Sequence, residues 1–199
     1  MESAYDEALA APDVVAKVRE AEEDGIDAVI INCFNHPGLD AARELVSIPV
    51  TGPCETSMHV AAMLGHKFSV ITVLEGLIPE LEQHAQKYGV GWKLVSARSI
   101  DLPVLDLGKG HDEFVGRKVE KAVEAIEEDG AHVIVLGCTG LAGPDKQVRS
   151  GLSKAGYEVP VIDPASIALK MAEALVDAKL THSKRTYPQP PEKEIVGYP

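Results

Sequence analysis

The feature that most constrains this chain is an internal repeat. Residues 22–33 read EEDGIDAVIINC, and residues 127–138 read EEDGAHVIVLGC. The two copies end at Cys33 and Cys138, which are 105 positions apart. Each copy has an acidic helix end, a glycine suited to a helix C-terminus, a buried strand and then a cysteine. The repeat therefore predicts two similar units, each with a cysteine at the end of a strand.

A second match extends the repeat beyond the cysteines. Residues 48–53 (IPVTGP) are echoed by residues 159–164 (VPVIDP), and a segment with Ala and Met residues follows each copy. Two matches in the same order predict two lobes related by a pseudo-two-fold axis. We expect residues 1–60 with 166–199 to form the first lobe and residues 61–165 to form the second. The cleft between the lobes is then the expected active site.

The chain alternates between apolar runs and longer segments of helical period, which predicts an α/β fold with mostly parallel sheets flanked by helices. The predicted strands are residues 26–32, 68–74, 93–97 and 132–136. The first, second and fourth are apolar enough to be buried on both faces. The predicted helices are residues 14–23, 39–46, 56–64, 78–88, 113–128 and 165–178. Residues 181–199 show no period, and we expect an extended arm that packs on the surface or on a partner subunit of a homo-oligomer.

The repeat also predicts an incomplete first lobe. The second lobe opens with a strand, a helix and another strand before its cysteine half, starting at Phe68. Moving Phe68 back by 105 positions gives −37, which lies before the first residue. We therefore expect the first lobe to lack its N-terminal strand–helix–strand unit, and we interpret this as an N-terminal truncation.

Charge and cysteine content limit the function classes. The formal net charge is −12, with acidic residues spread along the chain, so nucleic acid and anionic membranes are not expected partners. No apolar run reaches the length of a membrane-spanning helix. The N-terminal residues do not resemble a secretory signal, so a cytoplasmic protein is expected. Three cysteines in such a chain argue against a disulfide scaffold.

The positions of Cys33 and Cys138 favour proton-transfer chemistry. Ligands of open α/β sheets bind beyond the carboxyl ends of the strands, where both cysteines fall. A racemase needs a base on one face of a carbon acid and an acid on the other. Two thiols on pseudo-symmetric lobes supply that geometry, and a small-molecule substrate is the expected partner. A buried structural role is the usual one for a single cysteine, but the repeat favours function for this pair.

Other cysteine and cofactor roles are weaker on the residues alone. Cys54 has no cysteine at its repeat equivalent, so a structural role is expected for it, or at most a place in the lining of the site. Zinc ligation by Cys33 with His36, or by Cys54 with His59, does not follow the usual ligand spacing. Neither of the glycine-rich nucleotide-binding patterns is present, and no triad signature favours a hydrolase. The sequence thus predicts no metal and no cofactor.

Four segments of the chain resemble the aspartate/glutamate/hydantoin racemase superfamily, and most closely its hydantoin and allantoin racemases. They are residues 32–40 (NCFNHPGLD), 136–141 (LGCTGL), 68–72 (FSVIT) and 102–107 (LPVLDL). The resemblance implies two-base catalysis by Cys33 and Cys138 without metal or pyridoxal cofactor. It further implies a 5-substituted hydantoin or allantoin-like substrate. Its implied substrate contacts are Phe34, Asn35, Thr72, Thr139 and Gly140.

The chain departs from the family pattern in three places. It has no opening strand ending in an Asn-Pro-Asn-Thr loop, which agrees with the truncation expected from the repeat. Val73 stands where a second threonine is frequent, and Asn35-His36 replaces a more usual acidic residue before Pro37. Two alternatives therefore stay open. One is an amino-acid racemase or a maleate-type isomerase of the same fold, and the other is a non-catalytic two-lobed binding protein.

Overall fold

A computed structural model describes residues 1–106, 111–140, 143–191 and 193. The helices are α1 (Ala4–Glu23), α2 (Leu39–Leu45), α3 (Pro53–Leu64), α4 (Ile78–Lys87), α5 (His111–Glu127), α6 (Pro144–Lys154) and α7 (Pro164–Asp177). The strands are β1 (Val29–Ile30), β2 (Val50–Thr51), β3 (Phe68–Thr72), β4 (Leu94–Ser99), β5 (Val133–Leu136) and β6 (Val161–Ile162). All predicted helices and strands are present, which confirms the α/β alternation.

Two strands were not predicted, α6 was predicted only as a helix start at Pro144, and one helix is longer than its pattern suggested. Strands β2 and β6 have only two residues each, and the sequence of α6 (PDKQVRSGLSK) is mostly polar. Helix α1 begins ten residues before the predicted start at residue 14, although Pro12 lies inside it. The side chain of Ser3 caps this helix by accepting a hydrogen bond from the N–H of Asp6 (3.2 Å). The cap therefore supplies a helix start upstream of the proline.

The strands form two parallel sheets, which confirms the predicted pairing type. One sheet has four strands in the order β4-β3-β5-β6, and the other consists of β1 and β2. Val29 pairs with Val50 in the small sheet, and Ile134 pairs with Val161 in the large one. Ile134 is the repeat equivalent of Val29, since 29 + 105 = 134. The sequence repeat is thus also a repeat of strand register.

The two copies differ in burial. All residues of β3 and β5 are buried, because helices cover both faces of the large sheet. Val29 and Ile30 of β1 are only half-buried, and Ile26 beside them is 49% exposed. The prediction that residues 26–32 are buried on both faces is therefore wrong. A two-stranded sheet is too narrow for helices to cover it as they cover four strands.

Two helices cross between the sheets. Helix α3 follows β2 but packs on β3 and β5, whereas α7 follows β6 but packs on β1 and β2. Both helices begin with a proline in the first turn, and they pack against each other. The lobe boundaries near residues 60 and 165 stay a prediction, as does the missing N-terminal unit of the first lobe.

The described part of the C-terminal arm packs on the small sheet and on α2. The Nζ of Lys184 donates to the main-chain carbonyls of Arg43, Glu44 and Val46 at the end of α2. The N–H of Val50 in β2 donates to Nε2 of His182 (2.9 Å). Residues 192 and 194–199 of the predicted arm lie outside the described residues, and its contact with a partner subunit stays a prediction. Within the described ranges, no helix combines the length and apolar character needed to cross a lipid bilayer.

Candidate active site

Cys33 and Cys138 lie just beyond the carboxyl ends of the equivalent strands β1 and β5. Both are half-buried and form no disulfide. Both line one cavity of about 200 Å³. The other described residues that line it are Met1, Glu7, Asn32, Phe34, Asn35, Val73, Leu77, Val104, Gly137, Thr139 and Gly140. The structure thus brings the two cysteines to one cavity, together with four of the five predicted substrate-binding residues.

A hydrogen bond joins the two cysteine-bearing turns directly. The hydroxyl of Thr139 donates to the main-chain carbonyl of Asn32, over 3.2 Å. Thr139 follows Cys138 and Asn32 precedes Cys33, so the bond connects the two copies of the repeat next to the sulfur atoms. It constrains the distance between the turns across the cavity.

Gly137 allows the backbone before Cys138 to lie close to β3. Its N–H donates to the carbonyl of Ile71 over 2.8 Å. A Cβ atom at this position would lie 2.8 Å from Cγ1 of Val70 and 3.1 Å from the carbonyl oxygen of Ile71. Contacts that short require backbone movement, because β3 is fully buried. The position of Cys138 therefore depends on a glycine before it.

The turn after Cys33 is held by a buried histidine. His36 has a positive φ of 41°, and its N–H donates to the carbonyl of Cys33 over 2.9 Å. Its Nδ1–H donates to the carbonyl of Phe34 (2.8 Å), and its Nε2 accepts from the hydroxyl of Tyr88. Burial lowers the pKa of His36 to about 4, so the ring is neutral at pH 7. His36 is therefore a structural part of the turn and does not line the cavity.

Asn35 connects the Cys33 turn to two carboxyl groups from distant helices. Its Nδ2 donates to Oε1 of Glu7 in α1 (2.6 Å) and to Oε2 of Glu80 in α4 (2.8 Å). Asn35 is 8% exposed, so these bonds lie largely out of water. Burial and the adjacent carboxyl of Glu80 raise the pKa of Glu7 to about 7. A carboxyl group that is partly protonated at neutral pH therefore lies in the cavity wall.

The two sulfur atoms have different surroundings. Burial raises the pKa of the Cys33 thiol, and the negative charge of Glu7 raises it further. The sulfur of Cys138 accepts a hydrogen bond from the N–H of Gly140 (3.3 Å). Behind Cys138, the side chain of Lys118 is 1% exposed, with its Nζ 4.4 Å from the centre of the Phe114 ring. Burial lowers the pKa of Lys118 to about 8, against the opposing fields of Cys138 and Asp163.

Two residues considered at the sequence level lie outside the cavity lining. Thr72 ends β3 and is fully buried, and its hydroxyl has no hydrogen-bond partner within the described part of the chain. Its neighbour Val73 lines the cavity instead. Cys54 is fully buried beside Met58 and His84, in agreement with the structural role expected for it. A substrate contact from Thr72 stays a prediction.

The sequence interpretation missed two charged residues at the site. Glu7 carried no signal, because an acidic residue in the first turn of a helix usually faces solvent. Lys118 did carry one, since it stands in the helical stripe of buried positions Phe114, Ala122 and Ala125 on α5. A lysine within an apolar stripe marks a buried charge. Within the described ranges, no group of three or more His, Cys, Asp or Glu side chains is arranged to hold a metal ion.

The chain is similar in sequence to known proteins of one racemase family. The sequence model of the family described as Asp/Glu/Hydantoin racemase matches residues 1–172. The hydantoin racemase of Rhizobium meliloti is 40% identical over 100% of this chain and 80% of its own length. That of Pseudomonas sp. (strain NS671) is 38% identical over 99% of this chain and 78% of its own length.

A solved structure extends the comparison to the fold. Allantoin racemase from Klebsiella pneumoniae superimposes with a TM-score of 0.91 at 38% identity, covering 99% of this chain and 79% of that one. The family and the fold suggested by the cysteine motifs are thereby confirmed. The chain belongs to the Asp/Glu/hydantoin racemase family.

Proposed function

We propose that this protein is a cofactor-independent racemase of a 5-substituted hydantoin or an allantoin-like compound, with Cys33 and Cys138 as the two proton-transfer groups. The observation that carries the proposal is that both sulfurs line one small cavity, at equivalent strand ends of a structural repeat. Relatives that align over almost the whole chain are named hydantoin and allantoin racemases.

The reaction needs no group beyond the two thiols and the ring. The hydrogen on C5 of a hydantoin lies next to a carbonyl, so a thiolate on one face can remove it as a proton and leave a planar enolate. A thiol on the opposite face then protonates C5, which inverts the centre and leaves that sulfur as the thiolate. The opposite enantiomer uses the same groups in exchanged roles. Burial raises the pKa of Cys33, which favours its thiol form and hence the role of acid in the resting protein.

The charge of the cavity wall favours a neutral substrate. Among the described residues that line it, no Lys, Arg or His side chain is present, and the charged groups are the Glu7 carboxyl and the amino group of Met1. An amino-acid dicarboxylate would need cationic partners there, because a buried carboxylate without a partner is costly. A ring imide has amide-like N–H and C=O groups without net charge. The wall therefore supports a hydantoin or ureide ring over aspartate or glutamate.

Isotope exchange tests the proposal. An L-5-substituted hydantoin incubated with the protein in D₂O should lose optical rotation and gain deuterium at C5. We expect Cys33→Ser and Cys138→Ser each to lower this rate by at least about 10²-fold, the scale of one acid–base group. Cys54→Ala is the matched control, because Cys54 is buried outside the cavity, and it should retain the rate. The two-base assignment is wrong if both serine variants exchange at the wild-type rate. Loss in Cys138→Ser alone would indicate a one-cysteine mechanism.

A further inference from the structure

The wall of the cavity contains a carboxyl group to which proton transfer by the cysteines assigns no task. Glu7 lines the cavity beside Cys33 and belongs to α1, which contributes no other side chain to the described lining apart from Met1 just before it. Its partner Glu80 comes from α4 and is not among the described residues that line the cavity. A half-buried pair of carboxyls is costly for a fold to maintain when both are charged. Its position at the reaction site therefore calls for an explanation in terms of the ligand.

Glu7 lines the cavity, and its contacts within the protein leave part of its hydrogen-bonding capacity unused. The Nδ2 of Asn35 donates to one oxygen of Glu7 and one oxygen of Glu80, and the two carboxyls can also share a hydrogen bond when one of them is protonated. A carboxylate has two oxygens with about four acceptor positions, and a carboxylic acid adds one O–H donor. Within the described residues, no cationic side chain neutralises the pair. The groups that surround Glu7 there are Asn35, Glu80, Cys33 and the chain's amino terminus.

We propose that Glu7 is a specificity-determining residue that pairs with an N–H/C=O edge of a neutral ring substrate and turns away ligands that carry a carboxylate. The assignment rests on the proposed function, in that the ring class is the one proposed above. A protonated carboxyl donates to a ring carbonyl and accepts from the adjacent ring N–H, as in a carboxylic acid–amide pair. A deprotonated Glu7 carboxylate can only accept hydrogen bonds, and it repels a carboxylate on a ligand.

The pKa of Glu7 gives the inference a pH signature. Since burial and Glu80 raise this pKa to about 7, Glu7 is mostly protonated at pH 6 and mostly charged at pH 8. Ring binding should therefore weaken as the pH rises through 7. The opposing influences are the amide of Asn35 and the amino terminus, both of which lower the pKa of Glu7.

Binding of a ligand that cannot react separates recognition from catalysis. The ligand is 5,5-dimethylhydantoin, which has no hydrogen on C5, and the measurement is titration calorimetry at pH 6 and pH 8 with the full chain. We expect the wild-type dissociation constant to rise about threefold to tenfold from pH 6 to pH 8, which corresponds to the loss of roughly one hydrogen bond. Glu7→Gln, which keeps a donor and an acceptor, should bind within about threefold of the wild type at pH 6 and lose the pH dependence.

A second variant removes the hydrogen bonds altogether. Glu7→Leu should weaken binding at pH 6 by at least about tenfold, equivalent to about 1.4 kcal/mol. The matched control is Glu20→Gln on the solvent side of α1, where Glu20 pairs with the exposed Lys17, and it should bind as the wild type does. If Glu7→Leu does not fold, the pH dependence of the dissociation constant of Glu7→Gln still tests the assignment. Wild-type pH dependence in Glu7→Gln overturns the assignment, as does wild-type affinity in Glu7→Leu.

Competition with a carboxylate tests the discrimination. At pH 8, succinate should displace the ring from Glu7→Gln at least about fivefold more readily than from the wild type, since the repelling charge is gone. Equal displacement from both proteins contradicts the proposed discrimination.

The outcomes also separate this inference from the proposed function. Ring binding that depends on Glu7, without any C5 exchange of a monosubstituted hydantoin, rejects the racemase and leaves the assignment of Glu7 standing. C5 exchange with ring affinities that do not respond to Glu7 rejects the assignment and leaves the racemase standing. A wild-type protein that does not bind the ring at either pH rejects the assignment.

Discussion

The two cysteine turns have the same framework and different surroundings. Cys33 and Cys138 follow strands that pair with their neighbours in the same register, 105 positions apart. The turn after Cys33 is buried and connects to Glu7 and Glu80, whereas Gly140 after Cys138 is exposed and the buried charge behind that turn is the Lys118 side chain. The repeat thus places the two cysteines at equivalent strand ends, while residues outside the repeat give each sulfur its own electrostatic surroundings.

The largest effect is expected at the position before each cysteine. Gly137 and Asn32 are repeat equivalents, but a Cβ at position 137 meets the buried strand β3, while Asn32 is exposed. We expect Gly137→Ala to lower the free energy of unfolding by about 2–4 kcal/mol, as overpacking against a buried backbone does. Asn32→Ala is the matched control and should change it by less than about 0.5 kcal/mol. Urea denaturation measures both, and equal effects would show that the turns are more alike than their contacts indicate.

An intermediate effect is expected at Lys118. Burial lowers the pKa of its ammonium to about 8, so the charged form costs stability at pH 7, where both the folded and unfolded chains are protonated. We expect Lys118→Met to raise the free energy of unfolding at pH 7 by about 1–3 kcal/mol. Between pH 8 and the ordinary pKa of lysine, Lys118 is still protonated in the unfolded chain but mostly neutral in the folded one. Its contribution to the stability of the wild type therefore rises with pH over this interval. The increase in the free energy of unfolding that Lys118→Met shows over the wild type should therefore be smaller at pH 9.5 than at pH 7 in the same urea experiment.

The control for Lys118 lies on the same helix. Lys121 pairs with Glu124 at the surface, and Lys121→Met should change stability by less than about 0.5 kcal/mol at both pH values. A Lys118→Met variant that is less stable than the wild type at pH 7 would mean that the ammonium has a stabilising partner.

We also expect C5 exchange to slow in Lys118→Met, because the positive field at Cys138 is lost.

The smallest effect is expected for the hydrogen bond between the turns. Thr139→Val removes the donor to the carbonyl of Asn32 and should cost about 0.5–1.5 kcal/mol of unfolding free energy. Thr139→Ser keeps the hydroxyl and should stay close to the wild type. The exchange rate should fall more in the valine variant than in the serine variant, since the spacing of the turns is less constrained. Identical rates would show that the distance between the sulfurs is set elsewhere.

The fold could be predicted where the sequence pattern is strong and local. The alternation of apolar runs and helical segments gave the approximate position of every helix except α6 and of the strands β1, β3, β4 and β5, and the repeat placed both cysteines at strand ends. Strands β2 and β6 were missed because two residues are too few to show a period. Helix α1 was predicted too short because Pro12 interrupts its pattern, while its start depends on the Ser3 cap.

The site could be predicted only in part, because some of its contacts depend on long-range packing. Phe34, Asn35, Thr139 and Gly140 follow the cysteines directly, so their place in the cavity follows from the chain path. Glu7 reaches the site because α1 packs on α2, which follows the Cys33 turn, and nothing local to residue 7 indicates that contact. The resemblance to the racemase family implied a contact from Thr72, whose side chain is fully buried and outside the described lining, so this contact stays a prediction.

The crossing of α3 and α7 limits how the two halves of the molecule can move relative to each other. Because each of these helices packs on the sheet of the opposite copy, separating the halves would remove one covering helix from each sheet. A rotation that moved the two halves apart would expose apolar surface on both. The two crossed helices therefore favour a fixed arrangement of the two sheets, since any opening would cost the apolar contacts of both.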